Sequence, residues 1–346
     1  MNIALDSTYS VGADLSGVGV YSREMMDGLA RAHPGDRFAF CYRPHRFLRS
    51  FGERLPANAG RFLLGERRAP RWADVFHGLN QRLPHARLRR AVTTFHDLFA
   101  LTGEYSTPEF RRRFAELARD AARRSDRIIA VSQFTARQVM DLLGVEEARV
   151  RVVHHGVRPA AGAAAARERI VLHVGAMQHR KNISRLVDAF ERVDSGWQLV
   201  LAGSAGYGAA EILAKIGAAR SRERIRVLGY VPRAELANWY ARATIFAFPS
   251  LDEGFGMPVL EAMAAGTPVI ASNRSAVPEV AGDAAWLVDP EDTEELADAL
   301  VALTLDRERR AELSRRGLAR AAKFTWVGAV EKTRRVYGEL ADGRPD

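Results

Sequence analysis

A single cysteine, Cys41, stands among 346 residues. No disulfide can close within the chain, which suits a reducing compartment. No uninterrupted apolar run approaches the ~18 residues that a membrane span requires. The opening Met1-Asn2-Ile3-Ala4-Leu5-Asp6 has no basic segment leading into an apolar one. These absences predict a cytoplasmic chain, neither exported by a conventional signal nor integral to a bilayer. Lysine is nearly missing: Lys181, Lys215, Lys323 and Lys332 are the only four among 51 basic residues. A lysine placed where a ligand would sit is therefore conspicuous. No Walker A lysine loop is present and no Gly-x-Gly-x-x-Gly opens either half, which argues against a nicotinamide dehydrogenase. There is no Asp-x-Asp pair to hold a metal-bound diphosphate. His154 and His155 are adjacent, so their side chains diverge and make a poor metal pair. The expectation is a site with no metal and no cofactor.

What is abundant is arginine. The net charge is +9, and 12 arginines fall between Arg43 and Arg90 against only Glu53, Glu66 and Asp74. Such a field favours an anionic partner: a nucleotide, a phospholipid surface or nucleic acid. A solvated arginine-rich surface in an arginine-biased chain is the alternative reading.

The length suits two domains of ~150 residues. Ile3-Ala4-Leu5 ending at Asp6 reads as a first strand, Ser16–Tyr21 as a glycine-containing loop, and Ser22–Ala32 as a helix. Further strands are expected at 38–42, 75–76, 91–95, 127–131 and 150–153, with helices at 108–124 and 132–143. Ser132 is a natural N-cap for the second. Arg158–Arg169, with Pro159, Gly162 and a run of alanines, reads as a linker. The rhythm then restarts: strands at 170–174, 198–202, 225–228, 244–248, 268–271 and 285–287, and helices at 184–193, 209–219, 234–241, 258–265, 293–324 and 325–340. Alternating strands and helices with short loops predict an α/β protein of two doubly wound parallel-sheet domains, each covered on both faces. The expected domains are 1–158 with a helix at about 326–346 crossing back to it, and 159–325. Ligands of open α/β sheets bind beyond the carboxyl ends of the strands.

Two segments fall at such ends. Asp252-Glu253-Gly254-Phe255-Gly256-Met257-Pro258-Val259-Leu260-Glu261 follows the apolar strand Ile245–Phe248. Gly254 and Gly256 allow a tight loop, Pro258 suits the first turn of a helix, and that helix aims unpaired N–H groups at the loop. Glu253 lies on the loop and Glu261 one turn into the helix, where a carboxylate can accept two hydroxyls of a ribose diol. The second segment, Gly175-Ala176-Met177-Gln178-His179-Arg180-Lys181-Asn182, follows the strand Ile170–Val174. Arg180 offers a bidentate fork and Lys181 a point charge, a pair suited to a diphosphate.

Together these features resemble the retaining glycosyltransferases of bacterial polysaccharide and lipid-sugar biosynthesis known as GT4, which have the GT-B fold, and the resemblance spans nearly the whole chain. It implies that Glu253 holds donor-sugar hydroxyls, Glu261 the ribose diol, and Arg180 and Lys181 the diphosphate, with Gly175, Gly254, Phe255, Gly256 and Met257 around it. Gly17-Val18-Gly19 resembles the family's glycine loop, although Val18 separates glycines that are often adjacent there. Phe95-His96-Asp97-Leu98 resembles its His-Asp signature and implies that His96 reaches the donor sugar near its reacting carbon. Leu228-Gly229-Tyr230-Val231-Pro232 resembles the segment that meets the base, so Gly229 and Tyr230 join the donor-binding set.

The resemblance predicts transfer of a hexose, mannose from GDP-mannose being the best choice between GDP- and UDP-sugars, to a glycan or lipid-linked acceptor. The expected chemistry is metal-independent and retaining: no carboxylate is placed as a nucleophile, so the acceptor attacks the face that the leaving group vacates. No nucleic acid is expected as a partner. The basic first half, together with Arg111-Arg112-Arg113, is expected to touch an anionic membrane surface at the inner face of the membrane. Two other readings stay open: a non-hydrolysing sugar-nucleotide 2-epimerase, and a non-catalytic sugar-nucleotide-binding subunit.

Overall fold

The computed structural model of the chain describes residues 1–12, 15–158 and 166–341. Most of the expected linker and residues 342–346 of the expected last helix lie outside the described residues. The chain divides into two compact units: one of 1–102, 108–156 and 325–346, the other of 103–107 and 157–324.

The strands of the first unit are β1 (Asn2–Asp6), β2 (Arg37–Tyr42), β3 (Ala59–Leu63), β4 (Val75–Gly78), β5 (Ala91–Phe95), β6 (Arg127–Ala130) and β7 (Val150–Val152). They form one parallel sheet in the order β3-β2-β1-β4-β5-β6-β7. The helices are α1 (Gly17–Ala32), α2 (Pro44–Phe47), α3 (Phe99–Thr102), α4 (Pro108–Arg124), α5 (Gln133–Leu143) and, from the far end of the chain, α13 (Trp326–Ala341). The period of two in β1 decides the packing. Ile3 and Leu5 join Phe38, Phe40 and Tyr42 of β2 against α1 and α13, while Ala4, Ala39 and Cys41 face the other way.

Helix α13 is fastened to this sheet by a buried polar chain. The Tyr337 hydroxyl lies 2.5 Å from His77 Nδ1, and His77 Nε2 lies 2.8 Å from Thr94 Oγ1. Glu339 adds ion pairs to Arg127 at 3.0 Å and Arg151 at 2.9 Å. Ser132 caps α5 by accepting from the Thr135 N–H.

Two expectations change here. The segment Gly17-Val18-Gly19 is the first turn of α1 and not a loop. Ser16 starts the helix, its hydroxyl accepting from the Gly19 N–H at 3.4 Å and its carbonyl from Val20. Gly19 is needed for packing, because a Cβ there would stand 2.7 Å from the Tyr9 carbonyl. The strand β3 was not expected, since Ala-Gly-Arg-Phe-Leu on a half-exposed sheet edge shows no clean alternation. Arg111–Arg113 lie in the first turns of α4, beyond the carboxyl end of β5; Arg43, Arg46 and Arg49 follow the carboxyl end of β2, and Arg89 and Arg90 precede β5.

The second unit contains β8 (Glu168–Val174), α6 (Ile183–Phe190), β9 (Gln198–Ala202), α7 (Ala209–Ala218), β10 (Ile225–Gly229), α8 (Arg233–Arg242), β11 (Ala243–Phe248), α9 (Met257–Ala264), β12 (Val269–Ser272), α10 (Val277–Ala281), β13 (Trp286–Val288), α11 (Thr293–Leu305) and α12 (Arg307–Ala321). Its parallel sheet has the order β10-β9-β8-β11-β12-β13. Val171, Leu199, Leu201 and Ile245 bury against Ile183, Leu186 and Phe190 of α6 and Leu296 and Leu300 of α11. Each such side chain contributes about 1.5–3 kcal/mol by leaving water. The helix expected over 293–324 is two, divided at Asp306, whose carboxylate caps α12 by accepting from the Arg309 N–H at 2.8 Å. The strands β8 and β11 are neighbours, so the loops that follow them meet.

Candidate active site

The loop after β8 is shaped by two glycines. Gly203 has φ +155, and a Cβ there would fall 1.9 Å from the Gly175 carbonyl. The ends of β8 and β9 can therefore approach only if residue 203 is glycine. A short 3-10 turn, His179–Lys181, follows and stops at Asn182, which has φ +58. Asn182 is buried, and its amide donates to the carbonyls of Pro249 at 3.0 Å and Pro290 at 2.5 Å. The Leu251 N–H donates to the Arg180 carbonyl at 2.7 Å. These bonds tie the turn to the loop leaving β11.

That loop ends at Gly256, whose φ of +98 favours glycine, and α9 begins at Met257 with Pro258 in its first turn. The Phe255 ring is buried against Phe324, with centroids 6.0 Å apart, and so anchors the loop. Glu253 is 7% exposed. Its N–H donates to Ser275 Oγ at 3.1 Å, and its carbonyl accepts from Ala276. Ser275 itself has φ +57, an uncommon conformation for a side-chain-bearing residue.

The acid and the two cations meet. Arg180 reaches one Glu253 oxygen at 3.2 Å, and Lys181 Nζ donates to the other. Arg180 is braced further by the Asp252 carbonyl at 3.0 Å and by Gln178 Oε1 at 3.1 Å. Burial acts to raise the Glu253 carboxyl, but the Lys181 and Arg180 charges outweigh it and hold the group below the usual carboxylate range. Lys181 lies over the Phe248 ring at 5.0 Å. This is a compact ion cluster with two positive charges on one acid. An incoming anion can replace the carboxylate without leaving either cation unpaired.

Glu261 sits apart, on α9. The Tyr240 hydroxyl donates to its Oε2 at 3.0 Å. Its other oxygen has no hydrogen-bond partner among the described residues. Burial raises its carboxyl above the usual range, against the opposing charge of Arg233 and the Tyr240 bond. One oxygen fixed and one open is an arrangement that can accept hydroxyls. Gly229, with φ +67, ends β10, two strands from β8, and the exposed Tyr230 follows it.

In the first unit, His96 follows β5 and is 9% exposed. Its Nε2 lies 2.9 Å from the Leu79 carbonyl, so Nε2 carries the proton and Nδ1 the lone pair. Burial pushes the ring down to about 4, so it is neutral at pH 7. Its ring stacks on His155 at 5.4 Å and meets the edge of Tyr21 at 4.7 Å. Gly17 and Gly19 lie on α1 in this same unit.

Sequence reasoning quoted Asn182 within its stretch without giving it a role, and passed over His173, Gly203 and Tyr240. His173 is fully buried in β8. Its Nδ1 lies 3.0 Å from the Ala247 carbonyl, which leaves an Nε2 lone pair with no hydrogen-bond partner. A histidine two residues before Gly175 was a usable signal, and the others needed the fold. Among the described residues no group of three or more His, Cys, Asp or Glu is arranged to hold a metal ion. No helix among them is long and apolar enough to cross a membrane.

Two parallel Rossmann-like sheets, with cationic and acidic side chains converging where β8 and β11 end, define a GT-B nucleotide-sugar enzyme. The glycosyl transferases group 1 family matches residues 159–320, and glycosyltransferase family 4 matches 15–161. The chain is similar to the O-antigen chain mannosyltransferase B of Escherichia coli, at 31% identity over 96% of this chain and 98% of that protein. It belongs to this glycosyltransferase family and is a transferase that uses a nucleotide-sugar donor. In fold it is similar to sucrose-phosphate synthase from Thermosynechococcus elongatus, with TM-score 0.80, 21% identity and coverage of 99% and 100%. It is likewise similar to Anabaena HepE in complex with UDP-glucose, with TM-score 0.76, 17% identity and coverage of 99% and 100%.

Proposed function

We propose that this glycosyltransferase transfers a hexose with retention of anomeric configuration, without a metal, to a glycan or lipid-linked acceptor hydroxyl, and that the donor is GDP-mannose. The observation that carries the reading is the pairing of Arg180 and Lys181 with one carboxylate, Glu253, on two loops tied together by Asn182. The similarity to an O-antigen mannosyltransferase supports mannose as the sugar.

In this reading the donor diphosphate takes the place of the Glu253 carboxylate at Arg180 and Lys181. Glu253, released, accepts from hydroxyls of the sugar. The open oxygen of Glu261 accepts from the ribose. The bond between the anomeric carbon and the diphosphate oxygen breaks, and the two cations meet the charge that grows on that oxygen. The same oxygen takes the proton of the acceptor hydroxyl as the acceptor oxygen bonds to the anomeric carbon on the vacated face. Neutral His96, with its free Nδ1 lone pair, orients a sugar hydroxyl. The basic first unit attends an anionic membrane surface.

The test is a panel of GDP- and UDP-sugars. A donor at 100 times its dissociation constant stabilises the fold by about 2.7 kcal/mol, so GDP-mannose raises the melting temperature most. NMR of the transfer product then shows an axial anomeric bond. Conversion of the donor alone to its C2 epimer would establish the epimerase instead. Stabilisation without hydrolysis or transfer would leave a binding subunit.

A further inference from the structure

The first sheet is covered unevenly. One face of β3-β2-β1-β4 carries α1 and α13. The other is covered, among the described residues, by no helix. Leu64, Ala69, Ala73 and Leu83, from the irregular segments 64–74 and 79–90, lie directly on Ala4, Ala39, Cys41 and Phe76. Small strand residues on this face let coil approach the sheet closely.

Against these two segments is a cavity of about 1350 Å³. Phe62, Val75, Leu88 and Leu340 give it an apolar floor. Its rim carries Arg67, Arg68, Arg71, Arg87, Arg89 and Arg90. Among the described residues the only acid on its wall is Asp74, already engaged by the Asn2 N–H at 2.8 Å and by Arg89 at 3.4 Å. Arg90 faces Asp126 at 3.9 Å, and Arg68 lies over the Phe62 ring at 5.3 Å. Arg67, Arg71 and Arg87 have no carboxylate partner among the described residues.

The backbone under these arginines is fixed. Gly65 and Arg68 exchange hydrogen bonds at 3.0 and 3.2 Å, which makes Glu66-Arg67 a tight turn. The Ala73 N–H donates to the Pro70 carbonyl at 3.3 Å around Arg71, and the Phe76 N–H to the Arg90 carbonyl at 2.9 Å. Exposed guanidinium groups without carboxylate partners, gathered around one concavity, concentrate positive potential. Their planar forks match phosphate oxygens two at a time.

We propose that this cavity is an anion site, separate from the donor site, that takes a diphosphate or other multiply charged phosphate group. The apolar floor accommodates whatever body carries that phosphate. The source is a free phosphate compound or the headgroup of an anionic lipid.

The probe is inorganic pyrophosphate, titrated calorimetrically into the full chain. R67S/R71S/R87S is compared with Lys181→Met, which alters the donor site alone. Donor turnover by the triple variant serves as its folding control and should match the parent. We expect a pyrophosphate-binding component that survives in Lys181→Met and weakens about ten-fold or more in the triple variant. A second arm floats the protein with vesicles of phosphatidylcholine alone or with phosphatidic acid. Binding to the acidic vesicles, lost in the triple variant and competed by pyrophosphate, identifies a lipid headgroup. Pyrophosphate binding without vesicle binding identifies a free phosphate. Absence of both, or equal binding by parent and triple variant, overturns the proposal.

Discussion

Each unit buries a histidine where a central strand ends, and the two meet different surroundings. His96 spends one ring nitrogen on the Leu79 carbonyl, and His173 spends one on the Ala247 carbonyl. Burial pushes both down to about 4, so both are neutral at pH 7. Around His96 are aromatic and histidine rings: Tyr21 and His155. Around His173 are a stacked Phe248 and the charges of Lys181 and Glu253. The second sheet thus concentrates ionic groups around its histidine, while the first surrounds its own with uncharged rings. A diphosphate needs the former. A sugar with no charge of its own needs only the latter.

The comparison breaks most visibly at the cations. Arg180→Ala or Lys181→Met should lower turnover by roughly 10²–10³, because each meets charge that grows as the donor bond breaks. Lys181→Met should also cost about 3 kcal/mol of stability, since it strips one partner from a buried carboxylate. Adding Glu253→Gln should recover that stability and leave turnover low. Steady-state kinetics with chemical denaturation separates the two effects. Near-parental turnover in either single variant would sink the assignment.

The two acids should divide the donor between them. Glu261→Ala should weaken binding of the free nucleoside diphosphate by about ten-fold, the worth of one charge-assisted hydrogen bond. Glu253→Gln should spare nucleoside diphosphate and weaken the sugar-bearing donor by a similar factor. Calorimetry showing the opposite ordering reverses the roles.

The neutral histidines sharpen the comparison through pH. His96 and His173 sit at about 4 and His77 at about 3, against an unfolded value of about 6.5. As pH falls below 6.5 the unfolded chain binds protons that the folded chain refuses. Stability therefore drops between pH 6.5 and 4, by up to about 1.4 kcal/mol per pH unit for each ring, and is unaffected above pH 7. Burial lowers His155 well below its ordinary value too, so four rings share the slope; urea titrations at pH 7, 6 and 5 measure it, and His96→Phe should flatten it by about one quarter. An unchanged slope would mean that His96 is not buried in solution.

The smallest effect is expected from chelation. If Arg180 and Lys181 supply the positive charge at the diphosphate, exhaustive treatment with a chelator should leave turnover within about two-fold of its starting value. Strict dependence on added magnesium or manganese would remove that role from them.

Some of this was written in the order of residues alone. Strand and helix periods run through both halves, so two parallel sheets were legible without coordinates. The loop after β11 announces itself through Gly254, Gly256 and Pro258, and Lys181 stands out because lysine is rare. Local composition decides such features, because a turn, a cap or an apolar face needs only nearby residues. Ser16 shows the limit of that reading: it caps a helix that its glycine-rich sequel disguised as a loop.

Tertiary structure alone decided the rest, and the reason is distance along the chain. Glu253 meets Lys181 across 72 positions, and His77 meets Tyr337 across 260. No local pattern encodes a partner that far away. The same holds for the arginines of 67–90. Their abundance is plain in the sequence, but only the sheet face beneath them, lined with alanine and cysteine and carrying no helix among the described residues, gathers them around one cavity.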